Sequence, residues 1–313
     1  AKSRGQDGGN QDESACRHHL SIDFRRKRMS FITLAHYQAR ELLRSRGKSS
    51  CETSADLGKT RSRAILSEEG AEFENGVFVH WDELEMIAGS TNKCFQVDEK
   101  GVAPIQLFSE TTRLMRTLYP TAGAPTTLVS GILMHRIKEI DPMEDTRRKI
   151  AAIAPVTGNV LDTATGLGYT ALLAAKTAAH VITIEIDPAA HEIMRANPWS
   201  LEIFEKPNVE LLIGDVFELI DQFESDRFSR IIHDPPTAAL AGELYSGEFY
   251  RKLHRVLQHK GRMFHYVGDP NSAHGRKMVP GVIRRLKEAG FSKVQRDDAA
   301  FGVTAYKLPE FRR

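Results

Sequence analysis

Four acidic residues, Asp162, Glu185, Asp215 and Asp234, each stand where a short apolar run gives way to a turn, in "NVLDTA", "HVITIEI", "VELLIGD" and "FSRIIHD". A carboxylate in such a place can hold a cation, accept hydrogen bonds from hydroxyls, or orient and deprotonate an amine. Behind Asp162 runs Thr163-Ala164-Thr165-Gly166-Leu167-Gly168-Tyr169-Thr170-Ala171. Gly166, Gly168 and Ala171 fit G-x-G-x-x-G/A, a pattern whose glycines allow a tight turn and let a ligand approach the backbone. NAD is one reading of that pattern, and an ordinary glycine-bearing turn is another. Asp162 separates the candidates. A pyrophosphate wants a bare helix N-terminus without a neighbouring anion. S-adenosylmethionine has no phosphate, and a carboxylate four residues before the first glycine can help hold its cationic amino-acid portion.

The other acids fit the same ligand. Glu185 follows Gly166 by about 20 residues, the spacing at which an acid accepts both ribose hydroxyls. The structural alternative, capping the next helix, suits Asp187 before Pro188 better. Asp215 is placed to accept the adenine amino group, or to cap a helix. Thr163, Tyr169, Ile186 and Val216 flank these positions and complete the expected cofactor site. In "RIIHDPPT", Pro235 and Pro236 fix φ and donate no backbone hydrogen bond, so Asp234 stands on a stiff ledge. Asp234 is the candidate catalytic acid-base group, with His233 beside it as a second catalytic candidate whose alternative is a satisfied core histidine. Pro235, Pro236 and Thr237 are candidate substrate contacts.

These residues need a scaffold that brings the ends of successive strands together. From Asp141 onward the chain alternates. Helices are expected at "DPMEDTRRKIAAIA", with Asp141 as N-cap and Pro142 at the first helical position, then at "GYTALLAAKTA", "DPAAHEIMRAN", "DVFELIDQF", "GEFYRKLHRVLQ" and "VPGVIRRLKEAG". Between them lie the four acid-ended strands, then "GRMFHYVG" and "GVTAYKL". Near-continuous apolar strands alternating with helices imply an α/β fold, a Rossmann-like, doubly wound, mostly parallel sheet of seven strands. In such a sheet ligands bind beyond the carboxyl ends of the strands, at the switch point.

Three regions are expected: a disordered basic arm over 1–28 ending in "FRRKR", a helix plus a small β-rich N-terminal domain over 29–126, and a catalytic domain over 127–313. Within the second, the spacing predicts a helix from Phe31 to Arg46. Asn75-Gly76 reads as a hairpin turn, Asp82 to Ala88 as a short helix, and Glu99-Lys100-Gly101 as the centre of a strand pair. A strand over Leu128–Ile137 carries Met134, His135 and Arg136 as candidate substrate residues on a wall of the site.

Bulk properties narrow the classes. The 313 residues are 41% hydrophobic and 27% charged, with a formal net charge of +2. That balance reads as globular and neither demands nor excludes nucleic acid. Cys16, Cys51 and Cys94 are scattered and odd in number, which argues against a disulfide framework and against structural zinc, so no metal is expected. No apolar run reaches membrane-spanning length and the first residues lack a secretory h-region, so a cytoplasmic protein without membrane partners is expected.

"VLDTATGLGYTA", "VITIEIDP", "LLIGDVFELI" and "FSRIIHDPPT" resemble the successive motifs of class I S-adenosylmethionine-dependent methyltransferases, over about residues 142–307. More closely, "SGILMHRIKEIDPMEDTRRKI" with "HDPPTAALAGELYSGEFYRKLHRVL" resembles a group of spermine-synthase-like predicted methyltransferases of archaeal type. The resemblance implies S-adenosylmethionine as cofactor, with Asp162, Gly166 and Gly168 around its methionine portion, Glu185 at the ribose and Asp215 near the adenine. Asp-Pro-Pro followed by an aromatic marks amino-group methyltransferases, whereas Thr237 fills the fourth position here. Methyl transfer to an amino nitrogen is therefore expected, on a small amine, an RNA or a protein that the sequence does not distinguish, in a chain that could pair as a homodimer. The alternative is aminopropyl transfer from decarboxylated S-adenosylmethionine. Polyamine synthases resemble this chain in "VITIEIDP", in "GELYSGEFYRKLHRVL" and in having a small N-terminal β-domain, but their glycine loop usually reads G-G-G-D-G-G, and "TATGLGYT" lacks that acid. A non-enzymatic cofactor-binding scaffold is the third reading.

Overall fold

The computed structural model describes residues 31–308; the expected basic arm and Cys16 lie outside the described residues. The larger part is a seven-stranded sheet. Its strands are β1 (Asn159–Asp162), β2 (His180–Glu185), β3 (Val209–Ile213), β4 (Phe228–His233), β5 (Leu257–Tyr266), β6 (Ser292–Asp297) and β7 (Gly302–Tyr306), in the spatial order β3-β2-β1-β4-β5-β7-β6. β1 to β5 run parallel, and β7 is antiparallel to both of its neighbours. The order reverses at β1, between β2 and β4, which puts the switch point at the end of Asp162's strand. This is the Rossmann-like α/β fold.

Alternation along each strand sends successive side chains to opposite faces. Leu161, Ile182, Ile231 and Met263 enter one apolar layer, with Phe249 and Leu253 of the covering helix Gly247–Val256. Val160, Val181, Ile232 and Phe264 enter the other, with Ala171 and Ala174 of the helix Tyr169–Ala174. These strand residues are at most 1% exposed. Both faces are covered, as near-continuous apolar strands require.

The helix Pro142–Ala151 is capped as its sequence indicates: Asp141 accepts hydrogen bonds from Met143 N at 2.8 Å and Glu144 N at 3.1 Å, with Pro142 at the first position. Unusually, the face it buries is polar and holds Asp145, Thr146 and Lys149.

The N-terminal part is β-rich. One small sheet orders Ser50–Thr53, Ser62–Leu66, Gly70–Phe73 and Phe78–His80, and another orders Ile132–Leu133, Thr126–Val129, Met115–Tyr119 and Gln106–Phe108. A line drawn at residue 126 therefore passes through a hydrogen-bonded hairpin.

Several elements differ from the sequence reading. The segment expected as one helix from Phe31 begins as a strand, Ile32–Leu34, paired with Phe95–Asp98, and turns helical at His36–Arg44. Two β-branched residues beside an open sheet edge outweigh helical periodicity there. The single strand expected over 128–137 is a hairpin of Thr126–Val129 and Ile132–Leu133. It folds back at Ser130 and Gly131, whose φ values are 45° and 91°. The sixth strand, Ser292–Asp297, escapes the apolar pattern because Lys293, Gln295 and Arg296 give it a polar outer edge. Among the described residues no helix is long and apolar enough to cross a membrane.

Candidate active site

The carboxyl ends of β3, β2, β1 and β4 open on a cavity of about 490 Å³. Its far wall comes from the hairpin of Met115–Tyr119 and Thr126–Val129, and its roof from residues 235–245. Tyr245 holds the roof to the ledge, donating from its hydroxyl to Pro236 O at 3.0 Å.

The turn after β1 shapes the floor. Gly168 has φ 75°, a conformation that favours glycine, and a side chain there would also have to push aside the Ile203 Cδ1 methyl at 2.5 Å. Gly166 has φ 55° with open space around it, so there only the conformation favours glycine. Asp162 is fully buried just behind this floor. Its Oδ2 accepts from Thr170 Oγ1 at 2.9 Å and Thr183 Oγ1 at 3.0 Å, while its Oδ1 has no hydrogen-bond partner among the described residues. Burial pushes its carboxyl up to about 7. An orphaned, desolvated carboxylate oxygen is costly unless a cation arrives to meet it.

Glu185 ends β2 and is 6% exposed. Its two oxygens accept from Gly166 N at 2.9 Å and Asp187 N at 3.1 Å, and Arg116 Nη2 lies at 3.7 Å. Burial raises its carboxyl, and Arg116 acts against that. A carboxylate has about four acceptor sites, which leaves room for a diol. Asp187 is gripped from the N-terminal part: Ser109 Oγ donates at 2.7 Å, Thr112 Oγ1 at 2.9 Å, and Arg116 Nε pairs with Oδ2. Burial alone would raise Asp187, but these donors and the Arg116 charge more than offset it and leave its carboxyl below the usual range. Asp215 caps the short helix Val216–Leu219 through Phe217 N at 2.8 Å and also lines the cavity.

On the other side stands Asp234. Its Oδ2 accepts from Lys149 Nζ at 2.7 Å, and its Oδ1 has no partner among the described residues. Lys149 also pairs with Asp145 at 3.1 Å, and Asp145 with Arg136. Burial raises the Asp234 carboxyl above the usual carboxylate range, and the Lys149 ammonium offsets only part of that rise. Burial would likewise lower Lys149, yet Asp234 and Asp145 outweigh it and hold the ammonium protonated.

The structure brings most of the expected residues to one place. Thr163, Gly166, Tyr169, Glu185, Ile186, Asp215, Val216, Asp234, Pro235, Pro236, Thr237, Met134 and His135 line the cavity. Asp162, Gly168, His233 and Arg136 do not. Asp162 and Gly168 lie directly beneath lining residues. Arg136 points away, into Asp145, Ala299 O and the Phe301 ring. His233 is fully buried, with Nε2 bonded to the Leu244 carbonyl at 2.9 Å and Nδ1 to Thr163 Oγ1 at 2.7 Å. A carbonyl only accepts, so Nε2 carries the proton and Nδ1 receives the threonine hydroxyl. Burial lowers this ring to about 4. It has no nitrogen left for a substrate, and its place is that of a satisfied core histidine that fixes Thr163. His135 faces the cavity as a neutral ring, lowered to about 3 by burial, with Nδ1 2.9 Å from Thr126 Oγ1.

Sequence reasoning missed Arg116, Asp145 and Lys149. Asp145 and Lys149 are four residues apart on a helix, a spacing that usually marks a solvated ion pair; the signal was the apolar poverty of that helix's inner face.

Residues 160–296 match the family model described as the spermine/spermidine synthase domain. The chain is 46% identical over 192 residues to an uncharacterized protein of Methanocaldococcus jannaschii, covering 61% of this chain and 66% of that one. It is 29% identical over 154 residues to polyamine aminopropyltransferase 1 of Streptomyces coelicolor, covering 46% of this chain and 28% of that one. The match thus spans under two thirds of either relative. Among solved structures, a spermidine synthase in complex with the transition state analogue AdoDATO aligns with TM-score 0.55 at 20% identity, over 64% of this chain and 71% of that one. Spermidine synthase from Thermotoga maritima aligns with TM-score 0.52 at 20% identity, over 64% and 70%. Both share the fold described above.

Proposed function

We propose that this chain transfers an aminopropyl group from decarboxylated S-adenosylmethionine to an amine. The observation that carries the proposal is the charge of the cavity. Glu185, Asp215, Asp234 and Glu243 line it, and Asp162 lies just behind. Among the described residues Arg116 is the one arginine or lysine on its wall, and it is already tied to Asp187 and Glu185. A decarboxylated donor is a sulfonium and an ammonium with no carboxylate. It matches an acid-lined cavity, as does a polycationic acceptor. The match of residues 160–296 to the spermine/spermidine synthase domain supports the same reading.

The residues fit the donor. Asp162, buried beneath the lining residues, adds a negative charge under the floor that favours the ammonium, Glu185 retains acceptor capacity for the ribose diol, and Asp215 stands at the third strand end for the adenine amino group. Asp234 Oδ1 accepts a hydrogen bond from the incoming amine on its proline ledge. As the nitrogen bonds to the propyl carbon, the carbon–sulfur bond breaks and its electron pair stays on sulfur as a neutral thioether. The proton leaves the nitrogen toward Asp234. Orientation supplies much of the rate, since the sulfonium is already a good leaving group.

Methyl transfer from S-adenosylmethionine is the second reading. It is favoured by Leu167, which stands where the polyamine-synthase loop carries its acid, and by Asp162 at the end of β1. Titration calorimetry with both donors separates them. The expected result is binding of the decarboxylated donor at least about tenfold tighter, a difference of roughly 1.4 kcal/mol. Tighter binding of S-adenosylmethionine overturns the proposal in favour of methyl transfer.

A further inference from the structure

Asp234 is the last member of a row of alternating charges that runs back into the protein: Arg136, Asp145, Lys149, Asp234. The Lys149 side chain is 1% exposed and Asp145 0%. Lys149 Nζ lies 2.7 Å from Asp234 and 3.1 Å from Asp145, and 4.5 Å from the centre of the Tyr266 ring. Arg136 closes the far end between Asp145, the Ala299 carbonyl at 3.0 Å and the Phe301 ring at 4.1 Å. Such a row is a poor way to stabilise a fold, because desolvating buried charges offsets most of what their attraction returns. Lys149 does not line the cavity, so it does not touch a ligand there. What it does is occupy one oxygen of Asp234, a residue that lines the cavity, and leave the other without a hydrogen-bond partner among the described residues.

We infer that Lys149 is a positioning residue that keeps Asp234 ionised and turned with Oδ1 toward the substrate nitrogen, and that Asp145 and Arg136 hold Lys149 in place for that purpose. The inference rests on the proposed reading in which Asp234 meets the amine. The groups that face Asp234 are Lys149 and Asp145 from the helix Pro142–Ala151, Arg136 from the segment before it, Asp162 from β1, Tyr245 from the roof and Tyr266 from β5. Lys149 is the cation in contact. Without it Asp234 faces two other carboxylates in a dry setting and takes up a proton. A protonated Asp234 neither attracts an ammonium nor receives its proton.

The row makes two predictions of opposite sign. Lys149→Met raises the pH at which Asp234 titrates, because it removes the adjacent cation. Asp145→Asn lowers it, because Lys149 is then left with Asp234 as its one anionic partner. The test is a carboxyl carbon-13 NMR titration of the full chain labelled at aspartate, with the Asp234 signal identified by its loss in Asp234→Asn. The expected shift is about one pH unit or more upward for Lys149→Met and a smaller one downward for Asp145→Asn. The acid limb of kcat/KM, measured with decarboxylated S-adenosylmethionine and spermidine, moves the same way, and Lys149→Arg restores the wild-type profile. Asp234 titrating at its wild-type pH in both variants overturns the inference. If Lys149→Met does not fold, Asp145→Asn carries the test alone, and an unmoved signal overturns it. If wild-type protein transfers nothing to spermidine, the proposed function fails on that count, while the carboxyl titration still decides what Lys149 does to Asp234.

Discussion

Asp162 ties donor binding to protons, and the size of the effect follows from its surroundings. Oδ2 accepts two threonine hydroxyls, Oδ1 has no well-formed hydrogen bond among the described residues, and burial raises the carboxyl to about 7 against the threonines and the Ala164 N–H. Only the ionised form adds the negative charge beneath the floor that draws the donor's ammonium. Below pH 7 the empty site must therefore release a proton before it binds, and apparent affinity falls about tenfold per pH unit. Between about pH 7 and pH 5 that is roughly 100-fold, or about 2.7 kcal/mol. Calorimetry with decarboxylated S-adenosylmethionine across this range, in buffers of different ionisation enthalpy, measures both the slope and the proton released. Asp162→Asn flattens the slope and abolishes the proton release. The stability of the empty protein has the matching sign. A carboxyl raised in the folded state costs nothing below its unfolded value and penalises the fold progressively between the two values, where the unfolded chain ionises and the folded carboxyl stays protonated. Wild-type stability thus declines from about pH 4 to 7, by up to about 4 kcal/mol if the whole shift is expressed, and Asp162→Asn lacks that decline. A flat wild-type profile excludes Asp162 as a linked group, and the same slope in Asp162→Asn moves the linkage to Glu185, whose carboxyl burial also raises.

Asp234→Asn keeps shape and an acceptor but loses charge and basicity; turnover should fall about 100-fold with donor affinity nearly unchanged, as steady-state kinetics beside calorimetry will show. Arg116→Met strands the buried Asp187 and Glu185 without their cation, so denaturant unfolding should report a loss of about 3 kcal/mol and calorimetry a weaker donor complex. Gly168→Ala meets both a positive φ and Ile203 and should cost more stability than Gly166→Ala, which meets the φ strain alone, about 1–3 kcal/mol; equal melting temperatures for the two variants would argue against a turn packed on Ile203.

The strand-end acids were legible because a parallel sheet imposes a rule on them. Once "VLD", "ITIE", "LLIGD" and "IIHD" are read as strands, Asp162, Glu185, Asp215 and Asp234 must converge. Their consequences were not legible. Whether His233 faces the cavity or the core depends on strand register and on Leu244, eleven residues away in sequence. Lys149 looks like a solvated helix residue until a tertiary partner, Asp234, is placed 85 positions later beside it. Arg116 sits in a strand that by itself says nothing of Asp187. The strand at Ile32–Leu34 formed because Phe95–Asp98 offered an edge, which helical periodicity does not encode. Local pattern carried the elements, and long-range pairing decided the electrostatics.

The identity of the transferred group separates aminopropyl from methyl transfer in one experiment. The full chain is incubated with spermidine and an equal mixture of S-adenosylmethionine and its decarboxylated form, and the products are identified by mass spectrometry. The acid-lined cavity predicts methylthioadenosine together with spermidine enlarged by an aminopropyl group, and loss of both in Asp234→Asn. S-adenosylhomocysteine with a methylated amine, and no methylthioadenosine, would rule out aminopropyl transfer.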